Sequence, residues 1–297
     1  MRRIRLGSRR SRLALVQAEM VARLLRSRYP DIEVEIVRVV AEGDEDQRTP
    51  QVEWGKGAFV RSLQLRCLSG EIDAAVHSLK DLPLDEPEGL VLASVPFRDD
   101  PRDALVSREM KNLWELRSGA KIGTSSERRV MQLKGLRPDL QVIELRGNID
   151  TRIRKVMEHR ICDAAVVSYA ALKRIGLDSL ASEVFDVESM VPAPGQGAIA
   201  VECRRDDAEL LEIFRSVEDS KARQEIEVER RVSRLIGGGC RVPVGVNANI
   251  TDGRIKVVAA CNVEGRLVKS SVEGPLDEID LLVERLVSEM RGGVRDE

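Results

Sequence analysis

Aromatic residues make up only 3% of this 297-residue chain, two Trp, two Tyr and four Phe, too few for a base-stacking surface that holds single-stranded nucleic acid. Histidine occurs twice, at His77 and His159, and the five cysteines form no CxxC or Cys/His cluster, so no metal site is expected. An odd number of scattered cysteines fits a reducing, cytoplasmic compartment. No stretch approaches the ~18 apolar residues that a membrane span needs. The opening MRRIRLGSRRSRLALVQ is Arg-rich and acid-poor like a transit peptide, yet it lacks a long apolar region and a small-residue cleavage pattern, and it reads as mature protein. A large net charge is missing too: 48 basic against 50 acidic residues leave −2, and no global field attracts nucleic acid.

Within that balance the basic residues are skewed, 38 Arg against 10 Lys. Arg presents a planar, permanently charged fork to carboxylate or phosphate, so local anion sites are expected. The length allows two or three domains with proper cores.

Two segments read as copies of one another. IRLGSRRSRLALVQ (4–17) matches KIGTSSERRVMQL (121–133), PDIEVEIVRV (30–39) matches PDLQVIELRG (138–147), and IDAAVHS (72–78) matches CDAAVVS (162–168). The shared order predicts two α/β lobes of related topology, like those of periplasmic ligand-closing binding proteins, with the site between them. Lobe one is expected over 1–97 and 194–217, lobe two over 98–193. From 218 to 297 the pattern becomes a charged helix stopped by Gly237–Gly239, three strands separated by Asp252-Gly253 and Glu264-Gly265, and a last helix from about Leu276. This predicts a small α+β domain with a three-stranded antiparallel sheet.

Ile72 to Pro83 (IDAAVHSLKDLP) is the centre of the first lobe. A short buried strand ends in polar residues before Pro83, which places Ser78, Lys80 and Asp81 at a carboxyl sheet edge, where open α/β sheets bind ligands. Asp81 there either stabilises a cation on a ligand or merely caps the turn beside a solvated Lys80. Gly123-Thr124-Ser125-Ser126 before Arg128 and Arg129 reads as a helix N-terminus arranged for an anion, with Gly7-Ser8-Arg9 and Ser11 as its counterpart. Arg146-Gly147 with Thr151 and Arg152 adds another corner. Phosphates or carboxylates would serve equally. The insert from Glu42 to Phe59, with Lys56 between two glycines, reads as a mobile lid or as a solvated loop. Cys240 follows three glycines at a helix end, where it is accessible but the dipole disfavours a thiolate; a packing cysteine is the plainer alternative.

Together, GSRRSRLALVQA, WGKGAFVRSLQ, DAAVHSLKDLP, IGTSSERRVMQL, LRGNIDTR, PAPGQGAIAVECR and GGGCRVPVG, in this order, resemble the porphobilinogen deaminase (hydroxymethylbilane synthase) family from end to end. Val16, where many members carry an aromatic, and Arg12, where a Pro is common, depart from it. The resemblance implies a transferase of tetrapyrrole biosynthesis that joins four porphobilinogen molecules on a covalent dipyrromethane cofactor. It implies a thioether from Cys240 to that cofactor and Asp81 as the catalytic carboxylate. Lys80, Thr124, Ser126, Arg128, Arg129 and Gly147 match contacts to the cofactor. Arg9, Ser11, Gln17, Lys56, Ser78, Arg146, Arg152, Arg174 and Gln196 match contacts to substrate and the growing chain. A monomer that passes its product to uroporphyrinogen-III synthase is expected, with no nucleic acid or membrane partner. A non-catalytic binder would not need Cys240, and a phosphate-ester enzyme would need a Walker-type GxxxxGK[ST] run or a metal carboxylate cluster, neither of which is present.

Overall fold

The structure, a computed structural model, describes residues 2–39, 58–237 and 243–292. Apolar alternation makes β1 (Arg3–Arg9) a strand whose Ile4 and Leu6 are fully buried. Ser11 opens α1 (Arg12–Arg28) by accepting a hydrogen bond from the Ala14 amide, and the helix ends before Pro30. Its stripe of Gln17, Ala18, Val21, Ala22 and Leu25 packs inward. β2 (Glu33–Val39), α2 (Ala58–Leu68), β3 (Ala74–Ser78) and β4 (Leu90–Arg98) follow.

The second lobe comprises β5 (Asp103–Ser107), β6 (Lys121–Gly123), α3 (Glu127–Leu136), β7 (Gln141–Ile143), α4 (Ile149–Met157), β8 (Ala164–Ser168), α5 (Tyr169–Arg174) and β9 (Glu183–Val184). β10 (Ala198–Arg204) and α6 (Ala208–Arg215) then return to the first sheet. The two sheets run β2-β1-β3-β10-β4 and β7-β6-β8-β5-β9. In each, three parallel strands are followed by one antiparallel strand. Even the register repeats: Leu6 and Gly7 pair with Ala74 and Ala75 as Ile122 and Gly123 pair with Ala164 and Ala165. The matching segments are thus one structural unit used twice. The two glycines share a steric cause, because a Cβ would lie 2.2 Å from Ile72 Cδ1 at Gly7 and 2.6 Å from Leu145 Cδ2 at Gly123.

α7 (Ser220–Gly237) leads to β11 (Val244–Thr251), β12 (Arg254–Val263), β13 (Arg266–Pro275) and α8 (Ile279–Gly292). The three strands form one antiparallel sheet. Asp252 and Gly253 (φ 49° and 73°), then Glu264 and Gly265 (φ 50° and 86°), are left-handed pairs, as two-residue hairpin turns require. Val228 and Val232 of α7 and Leu286 and Val287 of α8 close the core over Val257 and Ala259. The chain divides into two compact units, residues 1–99 with 197–223, and residues 100–196 with 224–297. The second lobe and the C-terminal sheet therefore share a unit. No described helix is long and apolar enough to cross a membrane.

Candidate active site

In the first unit, β3 is buried from Ala74 to His77 and presents Ser78 at its carboxyl end. Leu79–Asp81 then make one 3₁₀ turn, closed by the Leu82 amide donating to Leu79 O at 3.0 Å. Leu79 is buried beneath this turn and Asp81 is exposed above it. An apolar anchor thus holds a carboxylate at the sheet edge. Lys80 is half-buried next to it. Because β1 and β3 are parallel neighbours, the end of β1 with Arg9, and the start of α1 with Ser11, lie at the same edge. Gln17, buried on α1, shares a hydrogen bond with the Ser78 hydroxyl (Nε2–Oγ 2.9 Å). The structure brings these six residues to one end of one sheet.

The second unit repeats that edge with cationic corners. Ser126 begins α3 and Asn148 begins α4, and neither caps its helix with its own side chain, so the first-turn amides lack that acceptor. The Ser126 amide donates to buried Thr124 Oγ1 at 3.2 Å. Gly147 adopts φ 114°, and Arg152 Nε donates to Gly147 O at 2.7 Å while Lys155 Nζ donates to Arg146 O at 2.9 Å. These bonds occupy the carbonyls of the corner with its own cations. Arg146 itself pairs with Glu144 (2.7 Å), and Arg174 lies half-buried in the last turn of α5.

Arg128 and Arg129 are almost wholly buried and converge on Asp103, whose exposure is 0%. Asp103 Oδ2 lies 2.7 Å from Arg128 Nη2, and Oδ1 accepts from Arg129 Nη2 at 2.7 Å and from Arg129 Nε at 3.1 Å. Burial alone would raise the Asp103 carboxyl, but the Arg128 and Arg129 charges, with hydrogen bonds from Arg129 and Gln196, hold it well below the usual carboxylate range. Arg129 also donates from Nη1 to Val166 O at 2.9 Å. The resemblance assigns both arginines to the cofactor; in the structure both face Asp103, Arg129 through two hydrogen bonds and Arg128 at 2.7 Å. Gln196 was assigned to substrate and the growing chain, but it is fully buried and its amide nitrogen donates to Asp103 Oδ1 at 2.8 Å and Pro101 O at 2.7 Å. Asp103 was missed. Its one signal is an acid at the head of the apolar run Ala104–Val106, since acids are rarely buried unless paired.

Lys56 and Cys240 lie outside the described residues. The remaining cysteines are buried, and burial pushes the thiols of Cys67 and Cys162 up to about 11 and that of Cys203 up to about 12. Among the described residues no group of His, Cys, Asp and Glu is arranged to hold a metal ion.

Residues 4–212 match the family model described as "Porphobilinogen deaminase, dipyromethane cofactor binding domain". The chain belongs to the porphobilinogen deaminase family. A porphobilinogen deaminase of Pelobacter propionicus is 41% identical over 297 residues, covering 98% of this chain and 95% of that one. Those of Caldicellulosiruptor saccharolyticus (40%, covering 96% and 98%) and a Roseiflexus species (44%, covering 91% and 89%) are similar over nearly as much. The residues present fit the family's dipyrromethane cofactor, whose rings carry carboxylates. Two guanidinium groups share one carboxylate, Arg128 Nε is buried with no hydrogen-bond acceptor, and two helix N-termini lack side-chain caps. Thr124, Ser126, Arg128, Arg129 and Gly147 are the residues that would hold those carboxylates in this unit.

Proposed function

We propose that the chain is a hydroxymethylbilane synthase, a transferase that condenses four porphobilinogen molecules head to tail and releases ammonia and the linear tetrapyrrole hydroxymethylbilane. The observation that carries this reading is Asp81, an exposed carboxylate on an apolar-anchored turn at the carboxyl end of β3, in a member of this family. As the C–N bond of the substrate's aminomethyl group breaks, positive charge spreads into the pyrrole ring. Asp81, accepting the pyrrole N–H, stabilises that charge in place and carries a proton between the leaving amine and the ring. Arg9, Ser11, Gln17, Lys56, Ser78, Arg146, Arg152 and Arg174 are assigned to the acetate and propionate groups of substrate and growing chain. Lys80, Thr124, Ser126, Arg128, Arg129 and Gly147 are assigned to the cofactor.

Dipyrromethane, when bound, supplies the primer to which substrate units are added. Cys240 is assigned as the residue that would hold it, through a thioether from its sulfur. The protein is further assigned to the cytoplasm as a monomer that hands its unstable product to uroporphyrinogen-III synthase. Intact mass of the protein and of Cys240→Ser, before and after porphobilinogen, tests the reading. A two-pyrrole adduct on the wild type alone, growing by single units, supports it. An unmodified wild type under both conditions refutes it.

A further inference from the structure

Gln132 lies on α3 one turn beyond Arg128, and its exposure is 0%. Both ends of its amide are bound to a single residue of the backbone: Nε2 donates to Val191 O at 3.0 Å, and the Val191 amide donates to Oε1 at 2.7 Å. Arg128 Nη1 donates to the same carbonyl at 2.6 Å. Thus the helix that carries the carboxylate-binding arginine also grips the segment Met190–Pro192.

The C-terminal sheet also packs on that segment. The Val246 amide of β11 donates to Pro192 O at 2.9 Å. A Cβ at Gly245 would lie 2.6 Å from Val191 O, so the two backbones touch. Val191 packs with Val258 and Ala260, and Lys269 Nζ of β13 donates to Ser189 O at 2.7 Å. β11 begins at Val244, four residues after Cys240. One short segment therefore stands between the helix with Arg128 and the strand that follows Cys240.

We propose that Gln132 is a positioning residue that sets the register of this segment, and through it the placement of the cysteine-bearing domain relative to Arg128. The reason is geometric. A single hydrogen bond lets a peptide pivot, whereas an amide that both donates to and accepts from one residue fixes it as a neighbouring strand would. Loss of Gln132 also leaves the buried Val191 N–H without its acceptor, a loss that a desolvated donor cannot recover from water. The proposal rests on the assignment of the cofactor to Cys240.

Gln132→Met keeps size and flexibility and removes both bonds. Two measurements are made on it: hydrogen exchange of the Val246 amide by NMR, and the rate at which cofactor-free protein gains a covalent adduct from porphobilinogen, by intact mass. Val283→Ala, in the core of the C-terminal domain, controls for lost stability. The expected result is exchange at Val246 and adduct formation each changed about tenfold in Gln132→Met, faster and slower respectively, with neither changed as much in Val283→Ala. Wild-type exchange and loading in Gln132→Met, or equal changes in the control, overturn the proposal. Should Gln132→Met fail to fold, Val258→Ala loosens the same joint from the sheet side, and wild-type behaviour there is equally fatal. A wild type that gains no adduct removes the Cys240 assignment, and the exchange measurement alone then decides whether Gln132 holds the joint.

Discussion

Asp103→Asn is the sharpest perturbation that the described residues offer. The side chain keeps its shape and loses its charge, leaving Arg128 and Arg129 buried around a neutral group. Removing one partner of a buried ion pair costs about 3–5 kcal/mol, because the remaining charge is neither hydrated nor balanced. Domains are stable by about 5–15 kcal/mol, so the variant is expected to fold with a reduced margin. With a urea slope of about 2 kcal/mol per molar, the midpoint falls by about 2 M. A second signature lies in the acid limb. The folded carboxyl is held below its unfolded value of about 3.9, so its contribution is complete above that pH and is lost as pH falls through the folded value, the unfolded chain binding the proton first. Wild-type stability is therefore expected to fall more steeply below about pH 4 than that of Asp103→Asn. Urea melts at a series of pH values measure both signatures. Equal midpoints at pH 7, or parallel acid limbs, would show that Asp103 is not the counter-charge of the arginine pair.

Asp81→Asn is expected to melt with the wild type, since Asp81 is exposed, yet to lose about 10²–10³ in the rate of single-turnover ammonia release; wild-type release would remove Asp81 from the chemistry. Ser78→Ala breaks the bond to Gln17 and is expected to cost about 1 kcal/mol in urea melts, with unchanged stability counting against that bond. Native protein at pH 8 is expected to leave Cys67, Cys162 and Cys203 unlabelled by a thiol reagent until denaturant is added, because burial keeps them protonated; peptide mapping that finds them labelled without denaturant contradicts this. Gly147→Ala puts a Cβ at φ 114° and 2.9 Å from Thr151 Cγ2, and a loss of about 1–2 kcal/mol is expected; a neutral result in calorimetry would mean the corner relaxes freely.

Local features were legible in the sequence because they are decided by neighbours along the chain. Strand, glycine, hydroxyl and helix recur at 4–17 and at 121–133, and the steric need at Gly7 and Gly123 is the same in both lobes. Asp252-Gly253 and Glu264-Gly265 announced hairpins through backbone preference alone. The end of β3 at Ser78 and the turn to Asp81 follow from an apolar run closed by Pro83. The buried polar clusters follow no such rule. Gln64 donates to Glu202 across 138 residues at 3.1 Å, and Glu202 Oε2 lies 3.0 Å from His77 Nε2 under the strand that leads to Asp81. Gln132 meets Val191 across 59 residues. The sequence by itself determined the repeat, the hairpins and which residue types could meet a carboxylate. Only tertiary structure decided which arginine is drawn into the protein and which glutamine grips a backbone. A charged or amide side chain is buried only where folding brings a partner within about 3 Å, and that partner is set by sheet order and register rather than by spacing in the chain.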